Sequence, residues 1–211
     1  MALAVDQLSL GQIGTNCYLV RAERGAAEAV VVDPGADAPQ IRLELARSGA
    51  SCAAILLTHS HYDHFGALAD LAEGTGAPVW LPEGEVDVFR RPADFYSGIP
   101  LRPYEGEATL LSGGETVEAA GIPFQVRHVP GHSPGHLAYY ADRCLFSGDV
   151  LFSGSVGRTD LPFGDWDALL DSIRSLVESY PPDTAVYSGH GPVTTLDAEL
   201  ARNPFLAELR A

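Results

Sequence analysis

The sequence predicts an α/β protein built from layers of strands and helices. Short apolar runs recur along the chain, and such runs are typical of buried strands. Segments with helical periodicity lie between them. The 211 residues contain no low-complexity linker and no evident repeat. We therefore expect a single domain that spans residues 1–211.

In the first half, strands are expected at 3–10, 17–21 and 29–32. The segment 39–48 has the apolar pattern of an amphipathic helix, and Gly49 is a typical residue to end it. The pattern therefore indicates three strands followed by a helix.

Further along the chain, a strand at 53–57 leads into a histidine-rich loop, and a helix is expected to continue from Phe65 to Leu71 and to end at Gly74. Another strand is expected at 78–81. The segment 83–107 is rich in proline, glycine and aromatic residues and has no clear period. It is either an irregular cover near the mouth of the site or an ordinary surface excursion.

The second half repeats this organisation. Strands are expected at 122–129, 137–141, 144–147 and 184–187. Between the last two, Asp165 is a good helix N-cap. An apolar stripe at helical spacing follows it: Trp166, Leu169, Leu170, Ile173, Leu176 and Val177. Two strand-rich halves with covering helices indicate two sheets packed face to face, with the helices outside.

The charge of the chain argues against several classes of partner. All 13 basic residues other than histidine are arginine, against 28 acidic residues, and the formal net charge is −15. This charge opposes phosphate backbones and anionic membranes. No apolar window approaches the length of a membrane span. We expect no nucleic-acid or membrane partner, and a monomer or a small homo-oligomer.

The expected location is the cytoplasm. The N-terminal residues lack the basic region and the long apolar core of a signal peptide. Cys17, Cys52 and Cys144 are odd in number and lie in strand-like runs. This pattern favours buried, reduced thiols over disulfides or a catalytic thiol.

The loop 58–64 is the most informative part of the sequence. His59, His61, Asp63 and His64 place three imidazoles and a carboxylate within six residues, and these groups are ligands of zinc and related metals. In an extended backbone His59 and His61 point the same way, whereas Asp63 and His64 can turn toward a neighbouring point. One loop could supply two adjacent ions. The density of the cluster disfavours the alternative of a solvated turn.

Three further candidates follow other strands. His132, Asp149 and His190 each come directly after a glycine near the end of a short apolar run. Loops at strand ends are where α/β proteins build their sites, because the strands fix the positions of those loops.

This order of motifs, His-x-His-x-Asp-His and then Gly-His, Gly-Asp and Gly-His, resembles the metallo-β-lactamase superfamily of metallohydrolases. The resemblance covers nearly the whole chain, from 16–18 and 32–35 to the end. Within it, 154–162 and 202–206 are similar to the short glyoxalase II-like branch. The resemblance implies a four-layer αβ/βα sandwich.

The resemblance also implies two divalent metal ions with seven protein ligands. The first ion would be held by His59, His61 and His132, the second by Asp63, His64 and His190, and Asp149 would bridge both. Zinc is the expected metal, with iron and manganese as alternatives. Asp63 and Asp149 are the expected catalytic residues, because Asp63 could also orient the attacking hydroxide.

The implied activity is hydrolysis of a thioester of a small hydroxy acid, such as an S-lactoyl-thiol. Arg158 would contact the thiol portion of this small-molecule substrate, or it would pair with Asp160. Pro192 stands where glyoxalase II has a tyrosine, and the helical C-terminal domain of that enzyme is not part of this sequence. Both departures argue against glutathione as the thiol carrier.

Two histidines remain outside the implied ligand set. The resemblance assigns His132 rather than His136 to the metal, so we expect His136 to be structural or to support a ligand. His128 lies in a strand-like run, and we expect it to be a hydrogen-bonded core residue or a packing residue.

The alternative function is a mononuclear iron persulfide dioxygenase of the same fold. That branch also carries Gly-Arg-Thr-Asp, and it binds iron through the equivalents of His59 or His61, His132 and Asp149. A β-lactamase is disfavoured, because those enzymes are exported and lack the bridging carboxylate. The charge disfavours RNA processing, and the complete ligand set disfavours a non-enzymatic binding module.

Overall fold

A computed structural model describes residues 2–210 of the chain. Two six-stranded sheets pack face to face. Alternation along single strands explains how both faces of a sheet are buried. In the strand Thr15–Arg21, Cys17 and Leu19 contact the helices on one side, whereas Tyr18 and Val20 contact the other sheet.

The first sheet contains, in spatial order, β1 (Ala4–Leu10), β2 (Thr15–Arg21), β3 (Glu28–Val32), β4 (Ser51–Leu56), β5 (Val79–Pro82) and β6 (Thr109–Leu111). The first three strands are antiparallel, and β3 to β6 are parallel. Its outer face is covered by α1 (Ala38–Ser48) and α3 (Leu68–Thr75). Gly49 ends α1 as predicted, in the left-handed conformation that glycine favours (φ 74°).

The second sheet contains β7 (Thr116–Ala119), β8 (Ile122–His128), β9 (Leu137–Ala141), β10 (Cys144–Gly148), β13 (Ala185–Ser188) and β14 (Thr194–Thr195). Their spatial order is β14-β13-β10-β9-β8-β7. The hairpin of β11 (Leu151–Phe152) and β12 (Ser155–Val156) stands apart. The outer face is covered by α5 (Trp166–Ser179) and α6 (Leu196–Arg202). The predicted N-cap of α5 is observed, because the Asp165 carboxylate accepts a hydrogen bond from the backbone N–H of Ala168.

Three hydrophobic clusters fill the spaces between the layers: one between α1, α3 and the first sheet, one between the sheets, and one between the second sheet, α5 and α6. The predicted four-layer αβ/βα sandwich is confirmed. Cys17 and Cys144 are buried, Cys52 is half-buried, and all three are free thiols. Within residues 2–210, no helix has the length and apolar character needed to cross a bilayer.

Two local expectations need correction. The helix after the histidine loop is split into α2 (Tyr62–Phe65) and α3, and α3 is followed by Gly76 as its C-cap rather than ending at Gly74. The segment 83–107 contains the short helix α4 (Val86–Arg90), flanked by 3-10 turns at Glu83–Glu85 and Pro92–Asp94. This segment contacts the histidine loop, which favours the interpretation of a cover over that of a surface excursion.

Candidate metal centre

The seven predicted ligands lie together at one end of the sandwich. They form two groups, and within each group one potential ligand atom per residue lies within 4.8 Å of all the others. The first group is His59, His61, His132 and Asp149, and the second is Asp63, His64 and His190. The structure thus brings together every residue that the motifs predict, although the loops that carry them are far apart in sequence.

In the first group, ring nitrogens of three histidines converge. Nδ1 of His61 lies 3.1 Å from Nε2 of His59 and 2.8 Å from Nε2 of His132. Nε2 of His132 is also 3.5 Å from Oδ2 of Asp149. Ring nitrogens that face one another this closely require a proton or a cation between them, which is the geometry of a metal-binding site.

In the second group, Oδ2 of Asp63 lies 3.3 Å from Nε2 of His190 and 3.5 Å from Nε2 of His64. The hydroxyl of Thr15 donates to the same carboxylate oxygen of Asp63 at 2.7 Å. Asp149 belongs to this group as well: its Oδ1 lies 3.3 Å from Nε2 of His64, and its Oδ2 lies 3.5 Å from Nε2 of His190. One carboxylate therefore faces both groups.

Three of the histidines are oriented by a partner on the far side of the ring. Nδ1 of His132 donates to the carbonyl of Arg158 at 2.8 Å, and Nδ1 of His64 donates to the carboxylate of Asp33 at 2.9 Å. Nδ1 of His59 lies 3.0 Å from the hydroxyl of Thr58, whose own proton goes to Asp33. These bonds occupy Nδ1 of each ring and leave Nε2, which faces the centre, as the nitrogen that can bind a cation.

The other two histidines take different positions. Nε2 of His136 accepts a hydrogen bond from the backbone N–H of Asp149 at 3.1 Å, and its ring stacks on His59 with centroids 4.5 Å apart. His136 thus supports two members of the first group and joins neither group, as expected. His128 is exposed and hydrogen-bonds the carbonyl of Pro134. The expectation that it is a core residue is wrong, because its side chain lies on the solvent side of β8.

The donor set fits two divalent cations. Nε2 of His64 and Oδ1 of Asp149 are both buried and lie 3.3 Å apart, and among residues 2–210 neither has a partner at hydrogen-bond geometry. A bound cation would relieve this arrangement. The surrounding backbone leaves no room for larger side chains: a Cβ on Gly189 would lie 2.1 Å from Oδ1 of Asp149 and 2.5 Å from Cε1 of His64. Histidine nitrogens and carboxylate oxygens suit zinc, iron and manganese.

The electrostatics differ between the two groups. Burial, together with neighbouring imidazoles, lowers the pKa of His59 and lowers that of His61 to about 4, so both rings are neutral. Hydrogen bonds with Asp149 and Asp63 raise the pKa of His190 to about 9. Burial raises the pKa of Asp63, but the hydrogen bond with His190 and the charge of His64 outweigh it and lower that pKa to about 2. Metal binding by the second group must therefore displace a proton.

A cavity of about 540 Å³ lies beside Asp63. Its walls include the apolar side chains of Ile13, Ile99 and Leu101, and none of the arginines in the described part of the chain lines it. Arg158 lies elsewhere around the centre, where its exposed guanidinium makes two hydrogen bonds to Asp160, at 2.7 and 2.8 Å. The structure therefore shows the ion pair that was one of the two expectations for Arg158.

Three supporting residues were not predicted from the sequence: Asp33, Thr58 and Glu85. Asp33 could have been identified, because it is an acidic residue directly after the apolar strand 29–32. Asp149 follows the strand 144–147 in a similar way, after one glycine. Glu85 carried none, since its partners lie on loops 25 to 50 residues away.

The family model described as the metallo-beta-lactamase superfamily matches residues 10–190. The chain belongs to this superfamily. One of its relatives is the probable metallo-hydrolase YqgX of Bacillus subtilis. The two sequences are 35% identical, and the alignment covers 95% of this chain and 96% of the relative. The hydroxyacylglutathione hydrolase GloC of Haemophilus influenzae is 33% identical, with 90% and 92% covered.

Several solved structures are similar to this chain in both sequence and fold. The B3 metallo-beta-lactamase BLEG-1 is 39% identical, with a TM-score of 0.90 and coverage of 97% of this chain and 100% of that chain. TTHA1623 in a di-iron-bound form is also 39% identical, with a TM-score of 0.84 and coverage of 95% and 100%. ETHE1 from Myxococcus xanthus is 26% identical, with a TM-score of 0.77 and coverage of 97% and 85%. The family, the His/Asp cluster and the named hydrolases together support a metal-dependent hydrolase.

Proposed function

We propose that this protein is a dinuclear metal-dependent hydrolase of a thioester of a small hydroxy acid, such as an S-lactoyl-thiol. The position of Asp149 carries the proposal, because its two carboxylate oxygens face both groups of ligands. Similarity to a hydroxyacylglutathione hydrolase supports the reaction class. A cytoplasmic location and a small-molecule substrate belong to the same proposal.

The seven residues of the two groups would hold the ions, and Asp149 would be shared between them. When bound, two divalent cations would supply the charge that polarises an acyl carbonyl and makes a water molecule acidic enough to lose a proton near neutral pH. Asp63 is held by the Thr15 hydroxyl, and the low pKa of its carboxyl makes it a weak base. Its role is therefore to orient the attacking oxygen by accepting a hydrogen bond.

Thioester cleavage suits a site with this design. A thiol has a pKa of about 8.5, so it leaves as the thiolate without needing a proton from the enzyme. The cavity beside Asp63 offers an apolar wall to the acyl group or the thiol carrier. The carbonyl of Arg158 accepts a hydrogen bond from His132, which places this residue beside the first group. Its guanidinium is exposed, so an anionic carrier could bind there by displacing Asp160. Arg158 is thus the proposed substrate-binding residue.

The test combines metal analysis with turnover, using protein purified without chelators or added metal. We expect about two ions per chain, zinc or a mixed pair, and hydrolysis of S-lactoyl-thioesters. Asp149→Asn should lose one or both ions and at least about 100-fold in kcat/KM, because changes to outer partners of ligands alone typically cost 10–100-fold. Asp183→Asn is the control, since that carboxylate is exposed and its ion pair with Arg143 involves neither the ligand groups nor Arg158. An Asp149→Asn protein with both ions and full activity would contradict the proposal.

The second candidate is a mononuclear iron persulfide dioxygenase, and the similarity to ETHE1 is consistent with it. About one iron per chain, with oxygen uptake in the presence of a thiol persulfide, would favour this candidate. The second group of ligands favours two ions instead, because it includes the buried Nε2 of His64, which has no hydrogen-bond partner within residues 2–210.

The similarity to BLEG-1 adds a third substrate to the assay, a chromogenic cephalosporin. A β-lactam also presents an acyl carbonyl, so metal content does not separate it from a thioester. We expect kcat/KM to be higher for the thioester. The reverse order would replace thioester hydrolysis by β-lactam hydrolysis as the proposed activity.

A further inference from the structure

Glu85 is a buried carboxylate outside the ligand set. Only 5% of its surface is exposed, and no ion pair among residues 2–210 includes it. A buried carboxylate requires hydrogen-bond donors to offset its loss of hydration. Glu85 has three: the backbone N–H of Ser60 at 2.6 Å, the hydroxyl of Ser133 at 2.5 Å and the backbone N–H of Gly135 at 2.8 Å.

The positions of these donors connect Glu85 to the metal centre. Ser60 stands between His59 and His61, and Ser133 directly follows His132. Oε2 of Glu85 binds the first of these two loops, and Oε1 binds the second. One side chain thus joins two loops that lie on different sheets and together supply all three histidines of the first group.

Close packing shows that this junction has little freedom. A Cβ on Gly135 would lie 2.7 Å from Cγ of Glu85. A Cβ on Gly84, in the same 3-10 turn as Glu85, would lie 3.2 Å from Cα of Gly135. The backbone of the turn Glu83–Glu85 therefore packs directly against the loop that follows His132, and the Glu85 carboxylate fixes their relative position.

We infer that Glu85 is a positioning residue that holds His61 and His132 at the separation needed to share one metal ion. This inference rests on the proposed function only in assuming that the first group binds metal. His59 is fixed independently, through Thr58 and Asp33. His61 is only half-buried, and its loop is held at the neighbouring Ser60, whose N–H donates to Glu85 and whose carbonyl accepts from the Tyr96 hydroxyl.

The chemistry of the three donors explains why this position needs an acid. A carboxylate offers acceptors on both oxygens, whereas glutamine of the same shape must place an NH2 group at one of them. If the amide oxygen stays with Ser133 and Gly135, the NH2 group faces the N–H of Ser60. The Glu85→Gln change therefore breaks the bond from Glu85 to the loop of His59 and His61 without creating a cavity, and leaves the bond from Tyr96 to Ser60 in place.

The test measures metal affinity, which does not depend on any substrate. Metal-free protein is titrated with Zn2+ against a chromophoric chelator and with Co2+ by visible absorption. We expect Glu85→Gln to weaken binding by the first group about 10–100-fold and to change its Co2+ spectrum. A His190→Ala background, in which the second group lacks a ligand, assigns the loss to the first group. Glu83→Gln is the matched control, because Glu83 is exposed in the same turn.

The outcomes separate positioning from a merely structural role. A structural role would lower the thermal stability of the metal-free protein and leave the affinity of the folded protein unchanged. A folded Glu85→Gln protein with wild-type affinity and an unchanged Co2+ spectrum would overturn the inference. If Glu85→Gln does not fold, Ser133→Ala replaces it: a several-fold loss at the first group supports the inference, and wild-type affinity overturns it. Wild-type protein that binds two ions but hydrolyses no thioester would contradict the proposed function alone.

Discussion

At the scale of single residues, the centre depends on which nitrogen of each imidazole carries the proton. Asp33 shows this most clearly. Its carboxylate accepts from the backbone N–H and the hydroxyl of Thr58 and from Nδ1 of His64, at 2.7–2.9 Å. Because Asp33 holds the proton on Nδ1 of His64, Nε2 is the nitrogen that can give up its proton to bind a cation, and it faces Asp149.

Asp33→Asn should therefore weaken metal binding by the second group about 10–100-fold. A neutral amide oxygen holds the proton on Nδ1 of His64 less strongly than the carboxylate does. This favours the tautomer that carries the proton on Nε2, which blocks that ligand. Backbone strain is not the cause, because asparagine tolerates the positive φ of 53° at this position. Zn2+ titration of metal-free protein measures the effect.

Asp37→Asn is the matched control for this change. Asp37 also has a positive φ, of 57°, but it is exposed and its side chain caps no helix. Equal Zn2+ affinities for Asp33→Asn and wild type would show that Asp33 does not set the tautomer.

At the scale of elements, ligands sit where strands end, and the following loops are pressed against helices. The loop between β8 and β9 carries His132 and passes directly over α5. Gly131 has a φ of 131°, and a Cβ there would lie 2.4 Å from Cα and N of Leu169. Only glycine permits this approach, so the contact with α5 fixes the position of His132 relative to the other ligands.

Gly131→Ala should lower the free energy of unfolding by about 4 kcal/mol, because backbone strain and overpacking each cost about 1–3 kcal/mol. It should also weaken binding by the first group, since His132 would move with the loop. Urea unfolding measures the stability, and Zn2+ titration measures the binding.

Gly121→Ala provides the comparison, because Gly121 has a φ of 71° and nothing within 4 Å of the added Cβ. It should cost only about 1–2 kcal/mol and leave metal binding intact. Equal losses of stability in the two variants would show that contact with α5 is unimportant.

At the scale of the whole molecule, the centre lies where the two sheets meet. The first half supplies His59, His61, Asp63 and His64, and the second half supplies His132, Asp149 and His190. Polar contacts between β2 and the loop after β13 connect the halves there. Nδ2 of Asn16 donates to the carbonyls of Ser188 and Gly191, each at 2.9 Å, and the Tyr18 hydroxyl donates to the carbonyl of Ser188 at 2.6 Å.

Asn16→Ala should lower the free energy of unfolding by about 1–3 kcal/mol, because buried carbonyls lose their donors. It should weaken metal binding by the second group, since the loop that carries His190 would lose both bonds from Nδ2 of Asn16 and keep those from the backbone N–H of Asn16 to Gly189 and from Tyr18 to Ser188. Tyr18→Phe is the comparison: it removes one bond to Ser188, a carbonyl to which Asn16 still donates. If Asn16→Ala changes stability but leaves Zn2+ affinity unchanged, the contact joins the sheets without positioning His190.

The sequence by itself determined the layered fold and the identity of the clustered residues. Alternating burial in strands such as β2 follows from a two-residue period, and the histidine loop 58–64 combines ligand types at a spacing that few other structures require. These signals are local, so they can be detected in one sequence.

Only the tertiary structure decided how these residues are held. Glu85 joins loops on two sheets, Asn16 binds a loop more than 170 residues away, and Gly131 is required by contact with α5. The tertiary structure also decided that His128 is exposed and that Arg158 pairs with Asp160. The physical reason is that hydrogen bonds and close packing join atoms that are near in space, and a periodic pattern along the chain carries no record of those neighbours.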